Sequence, residues 1–248
     1  MRFSNLLFTF LALVVLLISA CSDPTLEPPV RDSNSKKQVI KDSTPSESDL
    51  QAAQDTTELE QIIQRDDSPD RGSWQKPSVV IEKMGDLSNK TVADIGFGSG
   101  FFSRRLAQKA KKVIAIELDP RLISYMDSII LLELSEEFQE RIETRLATPT
   151  DSKLTVEEAD IILLVNTYPW LVDRINYLKQ LRQKLTPKGE IIIVDFKKKR
   201  IPRNKSFPET RYRVPLFEVE NELEGAGFST IKSDDLSLDY QYIVVASN

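Results

Sequence analysis

Val92-Ala93-Asp94-Ile95-Gly96-Phe97-Gly98-Ser99-Gly100 runs from an apolar strand candidate, Thr91–Ile95, straight into three glycines at alternate positions. A helical pattern follows, with Phe102, Leu106 and Ala110 recurring every four residues. Glycines at such a junction let the backbone turn tightly and approach a ligand closely. The spacing G-x-G-x-G is not the G-x-G-x-x-G of dinucleotide sites, which disfavours a nicotinamide-dependent oxidoreductase. Asp94 stands two residues before the first glycine. A carboxylate there suits a cationic ligand better than a pyrophosphate, which prefers bare amides at a helix N-terminus. The next acid at a strand end is Glu117, 21 residues beyond Gly96. There it can accept hydrogen bonds from both hydroxyls of a ribose. The plainer readings are a turn-capping carboxylate for Asp94 and an exposed strand-end acid for Glu117.

The pattern on either side of the glycines alternates strand with helix. Further strand candidates are Val113–Glu117, Ile142–Ala147, Asp160–Val165, Glu190–Phe196 and Tyr240–Ala246, with a weaker one at Ser229–Ser233. Ile161-Ile162-Leu163-Leu164-Val165 and Ile191-Ile192-Ile193-Val194 are apolar without alternation, as strands covered on both faces must be. Two more helical stripes are Ile175, Leu178, Leu181 and Leu185, closed by Pro187 and Gly189, and Val219, Leu223 and Ala226. The expected fold is α/β: a doubly wound, Rossmann-like, seven-stranded and mostly parallel sheet with helices on both faces. Ligands on such sheets bind at the carboxyl ends of the strands, near the switch point.

The first residues read as an address. Arg2 precedes an apolar run from Leu6 to Ile18, then Ile18-Ser19-Ala20-Cys21 and polar residues. A basic start, a short apolar core and small residues before a cut site make a secretory signal. Ile18-Ser19-Ala20-Cys21 resembles the bacterial lipobox, whose cysteine is lipidated. The competing readings are a lone buried cysteine, a chance match and an uncleaved anchor. The expected organisation is a signal peptide at 1–20, a flexible tether at 21–55 and a domain at 56–248. Residues from Ser22 to about Gln54 are too poor in large apolar groups to offset the entropy of ordering. Thr57 to Arg65 begins a helix with Leu59, Ile62 and Ile63 as its apolar side. The expected location is an exported bacterial lipoprotein on the periplasmic face of a membrane, with Ser22 favouring the outer one.

Composition removes several chemistries. The chain of 248 residues has no histidine and one cysteine, so Ser-His and Cys-His dyads and metal-ligand spacings are excluded. The net charge of −5 leaves no basic footprint for nucleic acid, and none is expected as a partner.

Asp94 to Gly100 with Glu117 resembles motif I and the following acidic motif of class I S-adenosylmethionine (SAM)-dependent methyltransferases. Trp74-Gln75-Lys76-Pro77, Leu164-Val165-Asn166-Thr167-Tyr168, Ile193-Val194-Asp195-Phe196-Lys197-Lys198 and Tyr240-Gln241-Tyr242 extend the likeness to one bacterial subgroup, over roughly Arg71 to Val245. The resemblance implies SAM as cofactor, with Gly96, Gly98 and Gly100 lining its methionine portion and Asp94 at the ammonium. It places Glu117 on the ribose, Leu118 beside the adenine, and Ala147 and Thr148 at the adenine edge. Asn166 and Thr167 would face the reacting methyl, with Asn166 and Tyr168 as the catalytic candidates. For Asn166 a turn cap is an equal alternative. Relatives in the subgroup often carry two histidines after the Asn-Thr-Tyr run, where this chain has Pro169 and Trp170. The Asn/Asp-Pro-Pro-Tyr pattern of many amino and base methylases is also missing. Tyr168, Asp173 and Asp195 are the polar groups left near the strand ends. Trp170 floors an acceptor pocket or sits in a core or lid. Trp74-Gln75-Lys76-Pro77 forms a lid or a packed entry segment. The basic run Lys197–Arg200, with Arg203 and Lys205, faces an anionic substrate or lipid headgroups, or is a solvated loop.

The leading function is methyl transfer from SAM to a small-molecule or envelope acceptor. The alternative is a binding module of the cell envelope that keeps the fold and has lost catalysis. The oligomeric state is not legible.

Overall fold

A computed structural model of the chain describes residues 47–202 and 207–248. The expected signal segment, Cys21 and the tether as far as residue 46 lie outside the described residues, as do Arg203 and Lys205. The end of the expected tether is helical instead. Helix α1 (Glu47–Asp66) starts nine residues before the expected domain boundary and runs through Thr57–Arg65. Glu, Gln, Ala and Leu in its first half are good helix formers, and Glu47 suits the positive end of the helix dipole. Leu59, Ile62 and Ile63 pack beside Phe97, Leu122 and Met126, as the stripe predicts. Two short helices follow, α2 (Arg71–Gln75) and α3 (Pro77–Glu82), hinged at Lys76.

The strands are β1 (Thr91–Ile95), β2 (Lys112–Glu117), β3 (Ile142–Leu146), β4 (Ala159–Val165), β5 (Leu185–Phe196), β6 (Thr230–Asp234) and β7 (Gln241–Ser247). They form one sheet in the order β3-β2-β1-β4-β5-β7-β6. The first five are parallel, and β7 runs antiparallel to both β5 and β6. This is the expected doubly wound, mostly parallel sheet. The switch point falls between β1 and β4, so a crevice opens above their carboxyl ends.

The remaining helices are α4 (Ser103–Ala107), α5 (Pro120–Glu133), α6 (Glu136–Gln139), α7 (Arg174–Lys184) and α8 (Leu216–Ala226). The unbroken apolar runs explain why both faces need cover. On β4, Ile161 and Leu163 face one cluster with α3 and α4, whereas Ile162 and Leu164 face the other with α7 and α8. Each such side chain withdrawn from water contributes about 2 kcal/mol, so neither face can stay wet. The α5 stripe of Leu122, Met126 and Ile130 covers β2 beside α1. Helix α7 ends at Lys184, one residue short of the predicted stripe. Leu185 already belongs to β5, whose ladder with β4 shifts register before becoming regular at Glu190. Pro187 and Gly189 therefore lie in that irregular strand entry rather than after the helix.

Candidate active site

The carboxyl ends of five strands surround one cavity of about 790 Å³, well within the size range of small-molecule sites. β1 contributes Asp94 and the turn from Gly96 to Gly98, and β2 contributes Glu117 with Leu118 and Asp119. β3 leads into Ala147, Thr148 and Pro149; β4 leads into Asn166 and Thr167. β5 closes the ring with Asp195 and Phe196.

The carboxylates sit in different surroundings. Asp94 is buried and accepts a hydrogen bond from the Ser103 hydroxyl at 2.6 Å. Burial pushes its carboxyl up to about 6, against the pull of Ser103 and of Arg71. Glu117 accepts from the Gly98 N–H at 3.1 Å and from the Leu118 N–H at 2.7 Å. A carboxylate offers about four lone-pair sites, so two remain for a ligand. The loop is also tied to the end of α1, where Asp67 accepts from the Ser99 hydroxyl and from Arg104.

Arg71, which carries no motif signal in the sequence, is buried in the cavity wall near Asp94. Its guanidinium lies 4.3 Å from the Phe101 ring and donates to the Asp66 carbonyl. Burial lowers it to about 10, still charged at neutral pH. It also starts a buried chain of amides. Arg71 Nε donates to Gln75 Oε1 at 2.6 Å, Gln75 Nε2 to Gln241 Oε1 at 3.0 Å, and Gln241 Nε2 to Asn166 Oδ1 at 2.5 Å. Asn166 itself holds a left-handed backbone, φ 59°, just past β4.

Three of the predicted site residues are placed elsewhere. Tyr168 is fully buried, and its hydroxyl donates to Glu222 on α8, beside Arg174, instead of reaching the cavity. A strand end shows a residue's height above the sheet but not its side, and Tyr168 falls on the α8 side. Asp173 is the exposed residue preceding α7 and accepts from Asn176. Gly100 is outside the cavity wall and meets Met126 of α5. The others line the cavity: Asp94, Gly96, Gly98, Glu117, Leu118, Ala147, Thr148, Asn166 and Thr167.

The far side of the cavity is aromatic. Trp74 packs on Phe196 and Phe207 at centroid distances of 5.7 and 4.8 Å. Trp170 lies 5.3 Å from Tyr212 at the rim and is exposed. Phe207 shows in the sequence only as a lone aromatic in a polar loop. Of the basic run, Lys197 donates to the Leu238 carbonyl, and Lys198, Lys199 and Arg200 are exposed.

Residues 93–193 match the family model described as a methyltransferase domain. In that segment and in its fold the chain is similar to class I SAM-dependent methyltransferases. A SAM-dependent methyltransferase from Aquifex aeolicus has the same fold, at 23% identity and a TM-score of 0.65, over 77% of this chain and 96% of that one. Dimethyladenosine transferase of Schizosaccharomyces pombe is 27% identical over 46% of this chain and 35% of its own length. Ribosomal RNA small subunit methyltransferase A of Koribacter versatilis is 34% identical over 46% and 33%. The chain thus spans about a third of the length of these curated relatives. SAM is the cofactor of such a domain. The wall fits it, since Asp94 and Arg71 offer opposite charges to a zwitterionic amino acid and Glu117 keeps free lone pairs for a diol.

Proposed function

We propose that the chain transfers the methyl group of SAM to a small-molecule or envelope acceptor, and that lipid on Cys21 holds it to a membrane. The observation that carries the first part is the convergence of Asp94, Arg71, the Gly96–Gly98 backbone and Glu117 on one wall. Asp94 would hold the ammonium of the methionine portion and Arg71 its carboxylate. Glu117 would take the ribose hydroxyls, with Leu118, Ala147 and Thr148 around the adenine. When bound, SAM supplies a methyl group already activated on a sulfonium. The chain's own task is then alignment and exclusion of water. Trp74, Phe196 and Phe207 suit the second task, because they wall the cavity with apolar surface.

The ribosomal RNA methyltransferases among the relatives raise the question of an RNA acceptor. The wall carries six acidic side chains (Asp66, Asp94, Glu117, Asp119, Asp195 and Glu209) against Arg65 and Arg71. That balance repels phosphate and supports a small acceptor instead.

Calorimetric titration of the chain with SAM and S-adenosylhomocysteine tests the cofactor site, and saturable binding of both is expected. Affinity for SAM should rise about tenfold from pH 5 to pH 7. The burial-raised Asp94 loses its proton through about 6 and only then attracts an ammonium. A folded protein that binds neither compound would sink the enzyme reading.

The anchor rests on the Leu6–Ile18 run and Ile18-Ser19-Ala20-Cys21. Expressed in a bacterium with lipoprotein processing, the full chain should enter the detergent phase on Triton X-114 partition. In the same cells it should take up radiolabelled palmitate, and Cys21→Ser, which keeps the apolar run uncut, should take up none. Equal labelling of the two, or no label in either, would rule out lipid at that residue.

A further inference from the structure

Asp195 is the buried acid of the cavity wall that the cofactor site leaves unused. It ends β5 in the cavity wall and is 1% exposed. Its Oδ1 accepts from the Phe196 N–H at 2.7 Å. Its Oδ2 has no hydrogen-bond partner among the described residues. A buried acceptor without a partner costs free energy and marks a place where a ligand can repay it.

Asn166 is its neighbour across the sheet, since the Asn166 N–H donates to the Val194 carbonyl. The amide chain behind Asn166 has only one sense. Arg71 is a donor without an acceptor, so Gln75 must present its oxygen to it and its nitrogen to Gln241. Gln241 in turn presents its nitrogen to Asn166 Oδ1. The end of Asn166 left for a ligand is therefore the donating Nδ2. A donor and an acceptor thus lie at the ends of neighbouring strands in one cavity wall, which Trp74, Phe196 and Phe207 share.

Resting on the methyltransferase reading, we infer that the acceptor is an apolar or aromatic molecule bearing a hydroxyl, and that Asp195 takes the hydroxyl proton while Asn166 donates to the same oxygen. A neutral amine has a single lone pair, which the new bond to the methyl takes, so none is left for the Asn166 amide, whereas a hydroxyl oxygen has two. A hydroxyl answers both and leaves its skeleton to the aromatic wall. As the O–H bond breaks, its proton passes to Asp195 Oδ2. An oxygen lone pair forms the new O–CH3 bond. The electron pair of the broken S–CH3 bond stays on sulfur, and the products are a methyl ether and S-adenosylhomocysteine. Asp195 suits the step because burial holds its carboxyl up at about 7, against the pull of the Phe196 and Tyr168 backbone N–H groups, a stronger base than an ordinary carboxylate.

The ionisable groups packed around Asp195 do not compete with it. Tyr168, in the turn after β4, and Tyr242, on β7, are both raised by burial and remain neutral. Behind them, Arg174 on α7 pairs with Glu218 and Glu222 on α8. Glu209 lies on the cavity wall and is exposed.

The test uses 4-propylphenol as the hydroxyl probe and 4-propylanisole as its methylated match. Both are titrated into the full chain in saturating S-adenosylhomocysteine. The phenol should bind more tightly than the ether. Its affinity should rise about tenfold from pH 6 to pH 8 as Asp195 ionises. Asp195→Asn should keep S-adenosylhomocysteine affinity and flatten the phenol profile. The wild-type profile decides the matter even if that variant fails to fold. No phenol binding, a flat wild-type profile, equal binding of the ether, or an unaltered slope in Asp195→Asn overturns the proposal alone. Absence of S-adenosylhomocysteine binding overturns the cofactor reading and this proposal with it.

Discussion

Gly98→Arg should lower SAM affinity at least about 100-fold, a loss near 2.7 kcal/mol, while the protein stays folded. Gly98 lines the cavity at φ +59°. A Cβ there would meet Asp66 Oδ2 at 2.5 Å, the mobile end of a side chain on α1. The left-handed backbone costs a non-glycine residue roughly 1–2 kcal/mol, which a domain of this size withstands. The charged end of the new side chain does the larger damage. A guanidinium grown into this wall lies close to Asp94 and Glu117 and neutralises the carboxylates that a cationic nucleoside needs. Calorimetry would read the affinity and circular dichroism the melting. Undiminished binding in the variant would remove the glycine turn from the cofactor site.

Gly100→Val should behave in the opposite way and damage the fold. Its Cβ would lie 2.3 Å from Met126 Sδ and 3.0 Å from Cε. Met126 is fully buried between α5 and the sheet, so it has no solvent to swing into. Overpacking costs about 1–3 kcal/mol, and the positive φ of +80° adds roughly 1–2 for a side chain. The sum of about 3 kcal/mol should lower the melting temperature by roughly 6–12 °C. Urea unfolding would measure it directly. A midpoint equal to that of the parent would show that α5 yields freely at this contact. Two glycines of one motif thus serve different masters, the ligand at 98 and the core at 100.

That division marks the limit of what is legible in the chain. The strands, the turn after β1, and the places of Asp94 and Glu117 follow from periodicity, glycine spacing and the distance between the acids. These are local signals, and the fold keeps them. Tyr168 differs because its height above the sheet is legible while its side is not; only the packing of α8 turns its hydroxyl towards Glu222. Arg71 gives no sign in a polar stretch between α1 and α3, since an arginine there is ordinarily solvated. Its burial depends on Phe101 and Gln75, which the fold brings to it. The stripe of Leu122, Met126 and Ile130 has helical spacing in the sequence, but the partner it covers emerges only when α1 packs beside it. Glu47–Asp55 resembles tether because Leu50 is its one large apolar residue, although its helix formers extend α1 all the same.

The row of amides from Arg71 to Asn166 also bears on where this protein can be divided. The segment matched by the family model, 93–193, holds the glycine turn and Asn166 but neither Arg71 and Gln75 nor Gln241. A fragment cut to that segment would leave Asn166 free to flip its amide and to offer an oxygen where the site needs a nitrogen. The smallest unit able to choose its partner therefore reaches from α2 to β7, fastened at a clasp whose two halves lie 166 positions apart.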